Sequence, residues 1–480
     1  MNHEVVVVGG GIGGLTAAAL LAARGVDVCL FERRSRVGGC VANFEHLGYT
    51  FEPTAGLYSG WEPAGIYEKI FSELPIEPPK VQALSPAYVV RLPDGTEVAV
   101  AVSERQFEDD LRQAFPECAE PAVTFYRKLV EFNDPHRASA RTATSTFFAS
   151  CSLRFRRFID VQLQTLTQCT SDRLSFADAA RALTLPHRGM WTIQGGAQAL
   201  ADALAESFKK SGGTLRLNAP VLRFVYGSDG QPMGVDLLNG ERVSATQAII
   251  SNLTIWDTYG KLIGLARTPS SVSAQLKQLR GWGAYLLFLS MDQVVAQRLK
   301  SNRIIVLTEW QEGQNYSPDQ AQFIFAITPD ADRAPEGKLA VTVSTFTDAE
   351  DWFTFHEDES AHEQRDQATL ELVWTRLHAA MPELGDSVEV IETATPQTFY
   401  ETIRRKFGMV GGLCSSGVSH DSEDSFRTVF PDVFLIGDTV SSSPGLAGIC
   451  DSAKAVADVI RRPTRQETRR KTGLFARRLH

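Results

Sequence analysis

Short apolar runs closed by glycine alternate along this chain with longer stretches of helical period. The first run, Val5-Val6-Val7-Val8, is four β-branched residues long and predicts a short buried strand. It ends in Gly9-Gly10-Gly11-Ile12-Gly13-Gly14, a tight turn, and passes into an Ala/Leu-rich helix over Leu15 to Ala23. A second strand, Asp27 to Phe31, closes on Glu32. Phe44 to Glu52 reads as a hairpin turned near Gly48, Ile66 to Leu74 as a helix broken by prolines, and Tyr88 to Val102 as a hairpin turned at Pro93-Asp94-Gly95. From Glu104 to Leu183 the period is mostly helical.

Gln194-Gly195-Gly196 then opens an amphipathic helix over Leu200 to Phe208. Strands follow at Thr214 to Val225, Pro232 to Leu238 and Glu241 to Asn252, turned at Asp229-Gly230 and Asn239-Gly240. Further strands are expected at Tyr285 to Ser290, Phe323 to Thr328 and Leu339 to Phe346, and a helix at Glu359 to Ala380. Asp432 to Ile436 is a last buried strand; Gly437-Asp438 and Pro444 to Ile449 follow it, and a helix runs to Ile460.

The chain thus has two strand–glycine–helix junctions, one at each end. They predict a nucleotide domain in pieces, 1–75, 190–260 and 425–462. Residues 76–189 and 261–424 would form a substrate domain, and 463–480 a tail. In such folds ligands sit at strand ends and domain interfaces.

The first junction carries chemistry. Gly9, Gly11 and Gly14 stand at G-x-G-x-x-G: the first makes the turn, the second lets backbone approach a pyrophosphate, and the third lets helix pack on strand. The helix N-terminus presents unpaired N–H groups to phosphate. Glu32 follows at about twenty residues, the spacing of a ribose-binding carboxylate. Gly38-Gly39 suggests a second loop passing close to the same ligand. These residues point to a dinucleotide and leave NAD and FAD open.

At 480 residues, 43% hydrophobic and 22% charged, the chain is of globular type with room for two domains. Seven scattered cysteines, with no Cys-x-x-Cys and no Cys/His cluster, favour a reducing compartment and exclude an evident structural zinc site. No leader peptide and no membrane-spanning run are expected, which points to the cytoplasm. The segment 461–480 has eight Lys/Arg against one acid, net +7, which leaves −16 on the rest of a chain of net −9. With Leu474, Phe475 and Leu479 this tail reads as a frayed end or as a peripheral tether to anionic lipid. The acidic body makes nucleic acid a poor partner. Phe147-Phe148 and Phe155/Phe158 are aromatic clusters of core type, yet Arg154, Arg156 and Arg157 interleave the second. A face that basic is expected to stay out of the core.

Together these segments resemble the flavin-dependent carotenoid and retinoid oxidoreductases (phytoene desaturases, carotene cis–trans isomerases, retinol saturases), within the amine-oxidase-like flavoprotein superfamily. The resemblance rests on Gly9-x-Gly11-x-x-Gly14, Glu32, Gly38-Gly39 and Phe44-x-x-x-Gly48-Tyr49-x-Phe51. It continues through Trp191 to Gly196 with Ala199-Leu200, Ile249 to Asn252, Thr395-Pro396, Gly408 and Phe434 to Ile449. Gln194 departs from it, standing where proline or a small residue is usual. The resemblance spans about residues 4 to 462. It implies an α/β fold: a Rossmann-type FAD-binding domain assembled from discontinuous segments, plus a mixed α+β substrate domain with antiparallel sheet. FAD is the implied cofactor. The binding set carried over is Gly9, Gly11, Gly13, Gly14, Glu32, Arg33, Gly38, Gly39, Val221, Gly437, Asp438, Gly448 and Ile449. Glu32 would take the adenosine ribose, Val221 the adenine side, Gly437 and Asp438 the pyrophosphate or ribityl chain, and Gly448-Ile449 the underside of the flavin.

The implied reaction is hydride transfer at flavin N5 on a hydrophobic isoprenoid: desaturation, saturation or isomerisation. An amine or another small molecule is the alternative, with an aromatic cage to which Tyr400, Trp310 and Trp352 could contribute. A non-catalytic carrier of prenylated proteins is a third class, against which the C-terminal flavin motif argues. No catalytic residue is legible. Glu45, His46 and Glu52 are the acid–base candidates near the early hairpin, and each reads more readily as surface or structure.

Overall fold

The computed structural model describes residues 1–101, 103–132, 142–310, 316–353, 358–413, 426–441 and 443–460. The basic tail 463–480 lies outside them. Asn2–Val8 is the central strand of a seven-stranded sheet. Val5 and Val7 join one apolar cluster and Val6 and Val8 another, so both faces are buried and the run has no polar alternation. Parallel neighbours come from distant parts of the chain: Val28–Phe31 and then Thr214–Arg216 on one side, Arg242–Ser251 on the other.

The strand Arg242–Ser251 is shared along its length. Its first residues pair antiparallel with Pro232–Leu237, which pairs in turn with Val221–Tyr226. Its last three, Ile249 to Ser251, pair in parallel with Val433–Leu435. The C-terminal strand therefore enters the same sheet as the N-terminal one. Above that sheet the helix Ile12–Ala23 packs between Ala197–Lys210 and Gly445–Val459. Every residue from Ile12 to Ala22 is buried, which is why this helix is all glycine, alanine and other small or apolar residues and shows no polar stripe.

The second seven-stranded sheet has the order Val388–Ala394, Trp282–Asp292, Lys338–Asp348, Gln322–Ile327, Arg303–Leu307, Tyr88–Arg91, Glu97–Val100. All its pairings are antiparallel except that of Arg303–Leu307 with Tyr88–Arg91. Period two decides its faces. Tyr285, Leu287, Leu289 and Met291 pack toward Val373 and Leu377 of the helix Glu359–Ala380, whereas Leu286 and Phe288 join the opposite cluster with Tyr49 and Phe51. Two small ribbons, Phe44–His46 with Tyr49–Phe51 and Val81–Ala83 with Trp191–Ile193, tie the sheets together. The fold is thus α/β with a Rossmann-type sheet and an antiparallel companion. Among the described residues no helix is long and apolar enough to cross a membrane.

Some expectations need correction. Thr214 to Val225 is two strands, broken where Asn218 takes a left-handed φ of +52° and Pro220 offers no N–H. Arg303–Leu307 and Val388–Ala394 were not anticipated; the first is flanked by charge, and the second alternates with glutamates on an edge. Among the described residues Cys29, Cys40, Cys118, Cys151 and Cys450 are free thiols, and Cys169 is disulfide-bonded.

The basic aromatic stretch is core after all. Phe155 and Phe158 are fully buried among Phe115, Phe125 and Phe148 in the helical layer. Arg157 is buried too and pairs with Asp160 at 3.0 Å, while Arg154 reaches Asp94 at 2.6 Å and Glu117 at 3.3 Å. Ion pairing at the helix flank is what lets these arginines lie beside the rings. Accordingly Phe158→Ala should cost about 3–5 kcal/mol in urea unfolding, against about 0–1 kcal/mol for Arg154→Ala. Equal costs would show that the arginines, not the rings, hold this layer.

Candidate functional site

The two junctions meet at one side chain. Asn252 ends the strand Arg242–Ser251, and its backbone N–H donates to Val8 O at 2.9 Å. A Cβ added at Gly11 would lie 2.8 Å from Asn252 Nδ2, one at Gly13 2.7 Å from its Oδ1, and one at Gly437 3.3 Å from Oδ1. The same addition at Gly13 would come 3.0 Å from Ile449 Cγ2, and at Gly14 2.0 Å from Gly9 O. Glycine is therefore demanded by close approach at Gly14 and Gly13, and by φ of +102° at Gly9 and +118° at Gly437.

The second glycine loop lies on the first. Gly38 N–H donates to Gly10 O at 2.9 Å, and a Cβ at Gly39 would sit 3.3 Å from Gly11 Cα. Glu32 is buried, accepting Gly10 N–H at 2.8 Å through Oε2 and Arg34 N–H at 2.8 Å through Oε1. Each oxygen keeps a lone pair for a diol. Ala219 N–H donates to Glu32 O at 2.9 Å, which brings the strand of Val221 to this corner. Arg33 turns away: it is exposed and donates to Thr402 O at 2.5 Å. Arg34 instead reaches Gly39 O at 3.2 Å. The helices Ile12–Ala23 and Gly445–Val459 both begin without a side-chain cap, leaving N–H groups free at this junction.

Asp438 is held by Arg405, Nη1 to Oδ2 at 3.0 Å. The same guanidinium donates to Met409 O at 2.7 Å and Gly411 O at 3.1 Å, and touches Cys40 Sγ at 3.7 Å. Burial opposes its charge, but Asp438 and Cys40 outweigh that, so its pKa lies above the ordinary value. Burial likewise raises the Cys40 thiol. Nothing in the run Arg404-Arg405-Lys406 distinguished this arginine from a solvated charge.

From this corner a cavity of about 370 Å3 extends between the two sheets and the helical layer. Cys40, Asp438, Pro444 and Ile449 line it on the glycine side, Leu286, Ile324 and Phe346 on the sheet, and Leu166, Leu174 and Leu185 on the helices. Among the described lining residues the only carboxylates are Asp438 and Asp178, and Asp178 already pairs with Arg181. Tyr58 and Thr54 supply hydroxyls to the wall, 2.7 Å apart. Tyr58 Oη donates to Glu52, which also accepts Ala197 N–H at 2.8 Å. Burial and the neighbouring carboxylate push the phenol well above its usual pKa, so it stays protonated.

Glu52 is thus the one acid–base candidate tied to the cavity. Glu45 is exposed on its hairpin, and His46 is not in the wall. Trp310, Trp352 and Tyr400 do not line the cavity either: Trp352 stacks on Tyr285, and Tyr400 meets Phe353 edge-on.

A glycine-lined nucleotide cradle opening onto an apolar cavity defines a dinucleotide-dependent oxidoreductase. The chain belongs to the flavin containing amine oxidoreductases, whose family model matches residues 12–461, and its cofactor is a flavin. It is 26% identical to prolycopene isomerase 2, chloroplastic, of an Oncidium hybrid cultivar, over 86% of this chain and 76% of that protein. It is 24% identical to the all-trans-retinol 13,14-reductase of Danio rerio, over 95% and 86% respectively. An oxidoreductase from Methanosarcina mazei shares the fold at a TM-score of 0.70 and 16% identity, over 95% of this chain and all of that one.

Removing Arg405 leaves the half-buried Asp438 carboxylate without its cation. Arg405→Met should destabilise the apoprotein by about 3–5 kcal/mol. Adding Asp438→Asn should restore part of that loss in a double-mutant cycle followed by urea unfolding. A single-mutant cost below about 1 kcal/mol would mean the pair is not structural.

Proposed function

We propose that this chain is an FAD-dependent oxidoreductase of hydrophobic isoprenoids. The observation that supports it above the others is the cavity itself, apolar and with both carboxylates of its described lining residues already paired to arginine. Among the described lining residues an amine substrate would find no open carboxylate. Carotenoid- and retinoid-directed relatives point the same way.

FAD fits the residues present. The glycine loops and the two uncapped helix N-termini suit a pyrophosphate, and the spare acceptors of Glu32 suit the ribose diol. Gly437, Asp438, Gly448 and Ile449 adjoin the same cradle from the C-terminal side. When bound, FAD supplies a site at N5 that takes up or gives back a hydride. The chain's part is positional. Leu286, Ile324, Phe346 and the helical leucines exclude water and hold a long apolar chain against the cofactor side. Tyr58 keeps a proton on its oxygen at the wall, in contact with Glu52 and through it with the helix start at Ala197. Held protonated, this phenol is a group of the cavity wall placed to donate a proton.

Purified protein should carry a yellow flavin chromophore, and Glu32→Ala should weaken FAD binding about tenfold or more, read by equilibrium dialysis. Anaerobic incubation with carotenoids, retinoids and amines, followed by mass spectrometry, tests the substrate. Polyene products shifted by two hydrogens mark desaturation or saturation, and unchanged mass with altered retention marks isomerisation. Turnover of amines alone would defeat the proposal.

A further inference from the structure

Two free thiols of the helical layer lie against each other. Cys118 closes the short turn Pro116–Cys118, which leads into the helix Ala119–Phe132. Cys151 stands one residue before Ser152, the N-cap of the helix Leu153–Thr167. Cys118 Sγ meets Ser152 Oγ at 3.5 Å, and the Cys151 thiol is within hydrogen-bonding reach of the Cys118 thiol. Both belong to the apolar cluster of Phe115, Phe125 and Phe148 and are 6% and 5% exposed. Their chain neighbours Glu117 and Ser150 are exposed, so the pair sits just under the surface. Other free thiols face different partners: Cys40 touches the Arg405 guanidinium at 3.7 Å, and Cys450 meets Thr16 Oγ1 at 3.5 Å.

A single buried cysteine is ordinarily a small apolar packing group. Two in contact gain a chemistry that neither has alone. Each is anchored at a segment end by one turn bond, Cys118 N–H to Phe115 O and Cys151 N–H to Phe148 O, both at 3.0 Å. Such ends can make the small adjustment that a disulfide's fixed geometry demands. Burial, and after it the Cys118 thiol, pushes the Cys151 thiol up to about 11. At neutral pH it therefore rests protonated, and the reduced pair persists until an oxidant reaches it. A bond between the sulfurs would tie the starts of two helices together. One of them, Leu153–Thr167, carries Thr165 and Leu166 into the cavity wall.

We propose that Cys118 and Cys151 form a redox-sensitive latch, open as a dithiol and closed as a disulfide, that fixes the helix Leu153–Thr167 and with it the helical wall of the cavity. In closing, each sulfur gives up its proton and one S–S bond forms. The two electrons pass to hydrogen peroxide, whose O–O bond breaks to give two waters. A dithiol reductant returns both protons and both electrons. The latch does not depend on which substrate the cavity takes.

The test treats the flavin-loaded full chain with hydrogen peroxide, then counts free thiols in urea and maps crosslinked peptides by mass spectrometry. Wild type should lose two thiols, in a peptide pair joined through Cys118 and Cys151, and dithiothreitol should separate that pair. The oxidised protein should unfold at a urea midpoint higher by roughly half a molar or more. Amide exchange in Leu153–Thr167 should slow about twofold or more. Cys118→Ser, which keeps a partner for Ser152 Oγ, should form no such crosslink and show no midpoint shift. Cys151→Ala should behave the same, and it serves if the serine variant folds poorly. A crosslink through other cysteines overturns the proposal, as does oxidation of either thiol to sulfinic acid with no crosslink. Retention of all thiols under peroxide that closes a peptide dithiol also overturns it. A crosslink at 118 and 151 that leaves both midpoint and exchange unchanged removes the latch and leaves only a reactive pair.

Discussion

The structure depends on backbone from four separated segments coming into contact around Asn252. The loops 9–14 and 38–39, the end of the strand at Ser251 and the turn at Gly437 approach so closely that side chains at Gly14 or Gly13 would collide with Gly9 O or with the Asn252 amide. Such contact is possible only because the sheet accepts Val433–Leu435 beside the last residues of Arg242–Ser251, the hairpin having ended at residue 244. Had the hairpin run on, the C-terminal strand would have no edge to join. The helix Gly445–Val459 would then lose its place against Ile12–Ala23. A shared edge is therefore what brings the helices Ile12–Ala23 and Gly445–Val459 side by side.

The same constraint shapes the charges. A cradle for a diphosphate wants exposed N–H groups and few competing anions nearby. Asp438 stands at that cradle, and Arg405 neutralises it while bonding the carbonyls of Met409 and Gly411. Glu32 shows the reverse arrangement: backbone N–H groups of Gly10 and Arg34 hold its carboxylate in place without consuming all its acceptors. One carboxylate is closed by a cation and the other kept half open by amides. That difference separates a structural from a ligand-ready acid more firmly than either residue's type.

Legibility in the sequence followed the range of the interactions. Strand–turn–helix units, hairpins at Asp-Gly and Asn-Gly, and the helix Glu359–Ala380 are written in local period and turn chemistry, and they stand where the period puts them. The meeting of the glycine loops was legible because glycines that need special φ or close approach leave a mark. Arg405 and Tyr58 left none. Arg405 sits in a basic run like any surface run, and Tyr58 gains its role from a carboxylate and a helix start 139 residues later at Ala197. The misjudged Phe155/Phe158 stretch fails for the same reason: Asp94 and Glu117, which neutralise Arg154, are distant in sequence.

For the cavity wall a leucine-lined hollow with every polar group paired would be the more stable solution, because apolar packing and satisfied hydrogen bonds both favour it. The chain departs from that solution at Gln168, where strained backbone, a glycine opposite and an unpaired acceptor coincide. There the carboxamide fills the space over Gly411, and its oxygen is covered without a partner.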